Sequence, residues 1–125
     1  MREIALTGGV ALDERPDADV DAVLARLFAA LADPTRVRLV RTLLERGELT
    51  SLECRQITGL SQGRTSVHLS CLVDAGLLST ERDGRQRRYR LRDPEVAFLV
   101  ESGAAIAARH FSQIVASLMG ARAVS

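Results

Sequence analysis

The chain has no tryptophan and no lysine, and its aromatic content is only 3%, from three phenylalanines and one tyrosine. With so few rings, its core must be aliphatic, built from Leu, Val, Ile and Ala. No apolar run approaches the roughly 20 residues of a membrane span, so a membrane partner is not expected. The start lacks the basic-then-apolar pattern of a secretion signal. Together with a count of only two cysteines, this points to a reducing cytoplasm and free thiols. There is no Ser-His-Asp arrangement, no paired carboxylates and no glycine-rich phosphate loop, so nothing supports an enzyme.

Hydrophobic residues make up 46% of 125 residues, enough for one modest domain. Residues 19–119 carry its periodic pattern, and 1–18 read as a flexible acidic arm. The net charge of +1 is unevenly spread. Residues 1–21 carry two Arg against six Asp or Glu, whereas 60–92 carry seven Arg against three acids. Such asymmetry directs the second region toward a polyanion.

Val20, Val23, Leu24, Leu27, Phe28 and Leu31 form a helical stripe. Asp33 caps a second helix, Pro34 fits its first turn, Val37, Val40, Leu43 and Leu44 continue it, and Gly47 follows its end. Thr50 and Glu53 are spaced as a capping box for a short helix that Gly59 stops. Ser61 caps the next, with Thr65, Leu69 and Leu72 on one face and Gly76 beyond it. Two short helices joined by a glycine-containing turn are a helix-turn-helix. The period then changes to two: Asp83-Gly84 separates two extended segments, a hairpin signal. Asp93-Pro94-Glu95 opens a last helix, expected to run unbroken over 94–118 through Val96, Leu99, Gly103, Ile106, His110, Ile114 and Leu118. A second apolar stripe on so small a domain calls for a partner, most economically a second copy.

The resulting fold class is mainly α with a small β-hairpin wing: a winged helix-turn-helix, dimeric through its first and last helices. Its second short helix would enter a DNA major groove, and the outward residues near its start are Gln62, Gly63, Arg64, Ser66 and Val67. Gln and Arg can pair bidentately with bases, Gly63 permits close approach, and Val67 suits a thymine methyl. In the wing, alternation puts Arg88, Arg90 and Arg92 on one face and Arg87, Tyr89 and Leu91 on the other, with Arg85 at the tip. Arg85 and Arg87 are the candidate phosphate contacts.

The stretches "LFAALADPTRVRLVRTLLERGELT", "SVHLSCLVDAGLL" and "ERDGRQRRYRL" resemble the ArsR/SmtB family of bacterial winged-helix repressors, over residues 20–100. The resemblance implies a homodimer on a double-stranded operator with inverted repeats, released by an inducer that is often a metal ion. The family's usual metal sites are not retained. The Cys-x-Cys of the arsenic-sensing branch would fall at Thr50 and Leu52. The Asp/His site of zinc and cobalt sensors would fall at Asp93, Glu95, Ile106 and Arg109. Of the mycobacterial cadmium/lead sensor's three cysteines only Cys71 has a counterpart, with Ala75 at the second position.

What remains is a pair of thiols, Cys54 and Cys71, at positions where the family carries apolar residues. Two thiolates suit a soft ion: Hg(II) foremost, and Cd(II) or Pb(II) less completely. His68 and His110 are conceivable added ligands. Two other readings stay open: a Cys54–Cys71 redox switch, which needs close Cα atoms, and plain core filling by small hydrophobes.

Overall fold

In the computed structural model the described residues are 19–120, and the chain divides at Pro94 into two compact units. The acidic arm expected over 1–18 lies outside the described residues.

The first unit begins with α1 (Val20–Leu31), capped by the Asp19 carboxylate, and α2 (Pro34–Arg46), capped by Asp33 with Pro34 in the first turn. The Asp33 carboxyl is held below the ordinary carboxylate range, chiefly by the hydrogen bond it accepts from Arg36 N at 3.0 Å. Then come β1 (Leu49–Thr50), α3 (Ser51–Thr58), α4 (Gln62–Asp74), β2 (Leu78–Asp83) and β3 (Gln86–Leu91). Both halves of the capping box form: Thr50 Oγ1 accepts from Glu53 N, and Glu53 Oε1 accepts from Thr50 N at 2.8 Å. The turn into α4 is pinned by the Thr58 and Thr65 hydroxyls, 2.8 Å apart, which satisfies the buried Thr65.

After α4, Leu77 N donates to Leu72 O and Gly76 N to Val73 O, with Gly76 at φ 83°. These are the paired bonds of a Schellman ending, whose left-handed residue is best glycine. The chain is thereby turned directly into β2. Gly84, at φ 63°, takes the first place of a two-residue hairpin turn that joins Asp83 to Gln86.

The wing is a three-stranded antiparallel sheet in the order β1-β3-β2 rather than a bare hairpin. Leu49 pairs with Tyr89 and Thr50 with Arg88. A two-residue strand is too short to show a period, so it leaves no sequence signal.

The core joins Leu39, Val40 and Leu43 of α2, Leu49, Cys54, Leu69 and Leu72 of the helix-turn-helix, and Leu77, Leu78 and Tyr89 of the sheet. Each fully buried leucine contributes about 1.5–3 kcal/mol of transfer free energy. On α2 Leu39 is as fully buried as Val40, yet it lies outside the sequence stripe. The stripe on α1 behaves differently: Val20, Val23, Leu24 and Phe28 are all exposed, and only Ala30 of α1 is buried.

The second unit contains α5 (Glu95–Arg109) and α6 (Phe111–Leu118). The single helix expected over 94–118 is thus broken at His110, whose φ −117° and ψ 28° leave the helical region. The break falls where the alanine-rich stretch gives way to His110-Phe111, weaker helix formers that no buried packing supports. No residue of α6 is buried, and Phe98, Ile106, Phe111, Ile114 and Leu118 face solvent. No described helix is long and apolar enough to cross a membrane.

Candidate nucleic-acid interface

Gln62, Gly63, Arg64, Ser66 and Val67 all lie exposed on the first turns of α4, as the pattern required. The helix buries Thr65, Leu69 and Leu72, so these five positions are left on its outer side. Val67 is 68% exposed, an apolar side chain held in water.

Between α4, α3 and the wing lies a cleft of about 200 Å³, lined by Ser51, Arg55, Gln62, Ser66, Arg82, Arg85 and Arg87 among others. The fold therefore brings Gln62 and Ser66 together with Arg85 and Arg87. Gly63, Arg64 and Val67 lie outside its lining. Two further cleft arginines, Arg55 and Arg82, were not among the candidate contacts, although Arg82 belongs to the arginine-rich wing stretch. Arg82 had a legible signal, since it shares the pleat face of Tyr89 and Arg87 across the hairpin. Arg55 had none, because only the packing of α3 against α4 and the sheet aims it at the cleft.

Wing position is set by hydrogen bonds to the start of α3. Ser51 Oγ accepts from Arg87 N at 2.9 Å and donates to Arg87 O at 3.3 Å, and Gln86 Oε1 accepts from Leu52 N at 3.3 Å. These bonds fix where Arg85 and Arg87 stand relative to α4.

The wing arginines are of two electrostatic kinds. On the face away from the core, Arg88 donates to Asp83 Oδ2 at 2.6 Å and Glu48 Oε2 at 2.7 Å, and Arg90 pairs with Glu48 Oε1 at 3.1 Å. The bond to Asp83, then the charges of Asp83 and Glu48, raise the Arg88 pKa further. On the cleft side, Arg82 stands directly opposite Arg87 in the strand register. Like charges placed so are destabilising. Among the described residues, Arg55, Arg64, Arg82, Arg85 and Arg87 have no carboxylate partner. A groove of uncompensated guanidinium groups beside an exposed helix start is shaped for phosphate and base edges.

Both thiols are free. Cys54 is fully buried on α3, where burial, with the Glu53 charge adding, pushes its pKa up to about 12. Cys71 is half-buried on α4, beside the core residue Leu72. The two helices that carry them pack on one another. Among the described residues no three His, Cys, Asp or Glu side chains gather as a metal-binding group. Cys54 and Cys71 each offer one sulfur, a donor number that suits an ion content with two ligands better than one that needs three or four.

Residues 33–80 match the family model described as bacterial regulatory protein, arsR family. A probable mercury resistance operon repressor of Streptomyces lividans is 51% identical over 108 residues, covering 86% of this chain and 85% of that one. The HTH-type transcriptional regulator CmtR of Mycobacterium tuberculosis is 43% identical over 77 residues, 62% of this chain and 64% of its own length. Among solved structures, a homodimeric winged helix-turn-helix DNA-binding domain from Mycobacterium bovis, described as a possible ArsR-family regulator, superposes with a TM-score of 0.67. It is 27% identical, covering 73% of this chain and 83% of that one.

Proposed function

The chain belongs to the arsR family of bacterial regulatory proteins, DNA-binding transcriptional repressors and not enzymes, and on that premise we propose a cytoplasmic repressor induced by a thiophilic metal ion, Hg(II) before Cd(II) or Pb(II). It acts as a homodimer on an operator with inverted repeats. The observation that carries DNA reading is the cleft of arginines, without carboxylate partners among the described residues, beside the exposed start of α4. Gln62, Gly63, Arg64, Ser66 and Val67 read base edges, and Arg82, Arg85 and Arg87 engage phosphates. Dimerisation is supported by the uncovered apolar faces of α1 and of α5–α6, and by the homodimeric neighbour.

For the inducer, the support is the thiol pair and the similarity to a mercury-operon repressor. Cys71 is the more accessible donor and Cys54 the second. Bound by both, a soft cation supplies strong sulfur ligation that displaces the thiol protons, which Cys54 otherwise retains at neutral pH. Cys54 and Cys71 belong to the two helices whose relative position aims Gln62–Val67. Any reorientation of α4 against α3 costs base contacts, and by linkage DNA occupancy opposes metal uptake to the same extent.

The test is release of a bound duplex by Hg(II), Cd(II), Pb(II) and Zn(II) for wild type, Cys54→Ala and Cys71→Ala. The proposal requires Hg(II) to act at the lowest concentration and each variant to resist it while still binding DNA. Variants that release as the wild type does would make the thiols core filler. Release by peroxide with a Cys54–Cys71 crosslink would replace the metal by a redox switch.

A further inference from the structure

At the corner between α1 and α2, the Arg36 side chain is bonded in three directions. Its Nε donates to Ala30 O at 2.7 Å and its Nη2 to Ala29 O at 3.5 Å, capping carbonyls at the end of α1. Its Nη1 lies 3.1 Å from Nδ1 of His68, on the reading helix one turn beyond Arg64. A guanidinium can only donate, so Nδ1 must be the acceptor, and the imidazole in this arrangement is neutral with its proton on Nε2. The same Nδ1 is 3.8 Å from Asp33 Oδ2.

We infer that Arg36 and His68 are positioning residues for DNA reading, fixing the seat of α4 against the α1–α2 corner through a lone pair that only a neutral imidazole offers. The inference rests on α4 being the reading helix. Arg36 and Asp33 are the charged side chains within bonding or ion-pair reach of the ring among the described residues. Of the other elements packed on α4, α1 supplies the capped carbonyls, α3 the Thr58–Thr65 hydroxyl contact, and β2 no charged group in ion-pair reach of the ring among the described residues. Cys71 lies a further turn along α4. The Asp33 carboxyl is held below the ordinary carboxylate range, chiefly by the hydrogen bond from Arg36 N, which favours its charged form.

When Nδ1 gains a proton it becomes a donor facing a donor, two like charges meet, and the available acceptor is Asp33. The seated arrangement binds the neutral ring. Protonation of the ring therefore opposes it, so acid weakens the seat and base does not. None of these groups lines the cleft, so the phosphate contacts and their salt dependence are unaffected.

The experiment uses the full chain and a duplex selected by it from a random-sequence pool at about pH 8. Preference for that duplex over unselected DNA is then measured down to about pH 5.5. Wild type should lose roughly tenfold of its preference, the worth of one hydrogen bond to a charged group, with an unchanged salt slope. His68→Gln, which offers an amide acceptor at every pH, should keep the preference and lose its pH dependence. Arg36→Gln should show reduced preference throughout. A flat wild-type profile, or a His68→Gln profile that still falls with acid, overturns the inference. Should His68→Gln fail to fold, the wild-type profile and Arg36→Gln decide: an Arg36→Gln profile that falls as the wild type's does also overturns it. Failure to select any duplex would instead overturn DNA reading itself.

Discussion

Replacing Arg82 by Gln should move folding and DNA binding in opposite directions. In the free protein Arg82 stands across the hairpin from Arg87, and no carboxylate answers either among the described residues. Opposed like charges cost on the order of 0.2–1 kcal/mol, so removing one should stabilise the free protein by a few tenths of a kcal/mol. On DNA the same change removes one phosphate contact. The slope of log affinity against log salt should then become shallower by about 0.9. Between about 50 and 200 mM salt the variant should lose roughly 3.5-fold less affinity than wild type, starting from a weaker value. Arg88→Gln is the control. It breaks the bonds to Asp83 and Glu48, so it should lower folding stability and leave the salt slope as it was. Urea unfolding of the free protein and anisotropy titrations over a salt series read both effects. An unchanged slope for Arg82→Gln, or an equal flattening for Arg88→Gln, would refute the division of the wing into a DNA side and a structural side.

Arg64→Ala should weaken binding to a selected duplex by about 1–3 kcal/mol relative to random DNA, the worth of a bidentate base contact, measured by competition. Equal losses on every sequence would reassign Arg64 to a phosphate. Ile114→Asp, which puts a charge on the uncovered face of α6, should shift sedimentation at micromolar concentration from dimer to monomer and cost operator affinity with it. A wild-type monomer under those conditions would end the dimer reading.

Where a local interaction decides the conformation, the sequence was sufficient. Thr50 and Glu53 close their capping box over three residues, Asp33 and Ser61 cap their helices, and Gly59, Gly76 and Gly84 take the positive φ that ends a helix or turns a hairpin. From those signals follow the helix-turn-helix, the wing and the five exposed positions on α4. Through the pleat's period of two, so does the division of the wing arginines between its faces.

Other features depend on what packs against what, and no local pattern contains that. The apolar stripe of α1, expected to serve the dimer, lies exposed in the single chain, and its period alone could not separate a core face from a dimer face, because periodicity reports amphipathicity and not the identity of the partner. The strand Leu49–Thr50 and the arrival of Arg55 at the cleft are set by contacts or by elements too short to carry a period. The same holds for the thiols. In the sequence Cys54 and Cys71 are two equal substitutions for apolar residues. Only the tertiary structure makes one a fully buried acid with its pKa near 12 and leaves the other half-open on the reading helix, because desolvation is a property of the assembled core and not of the chain.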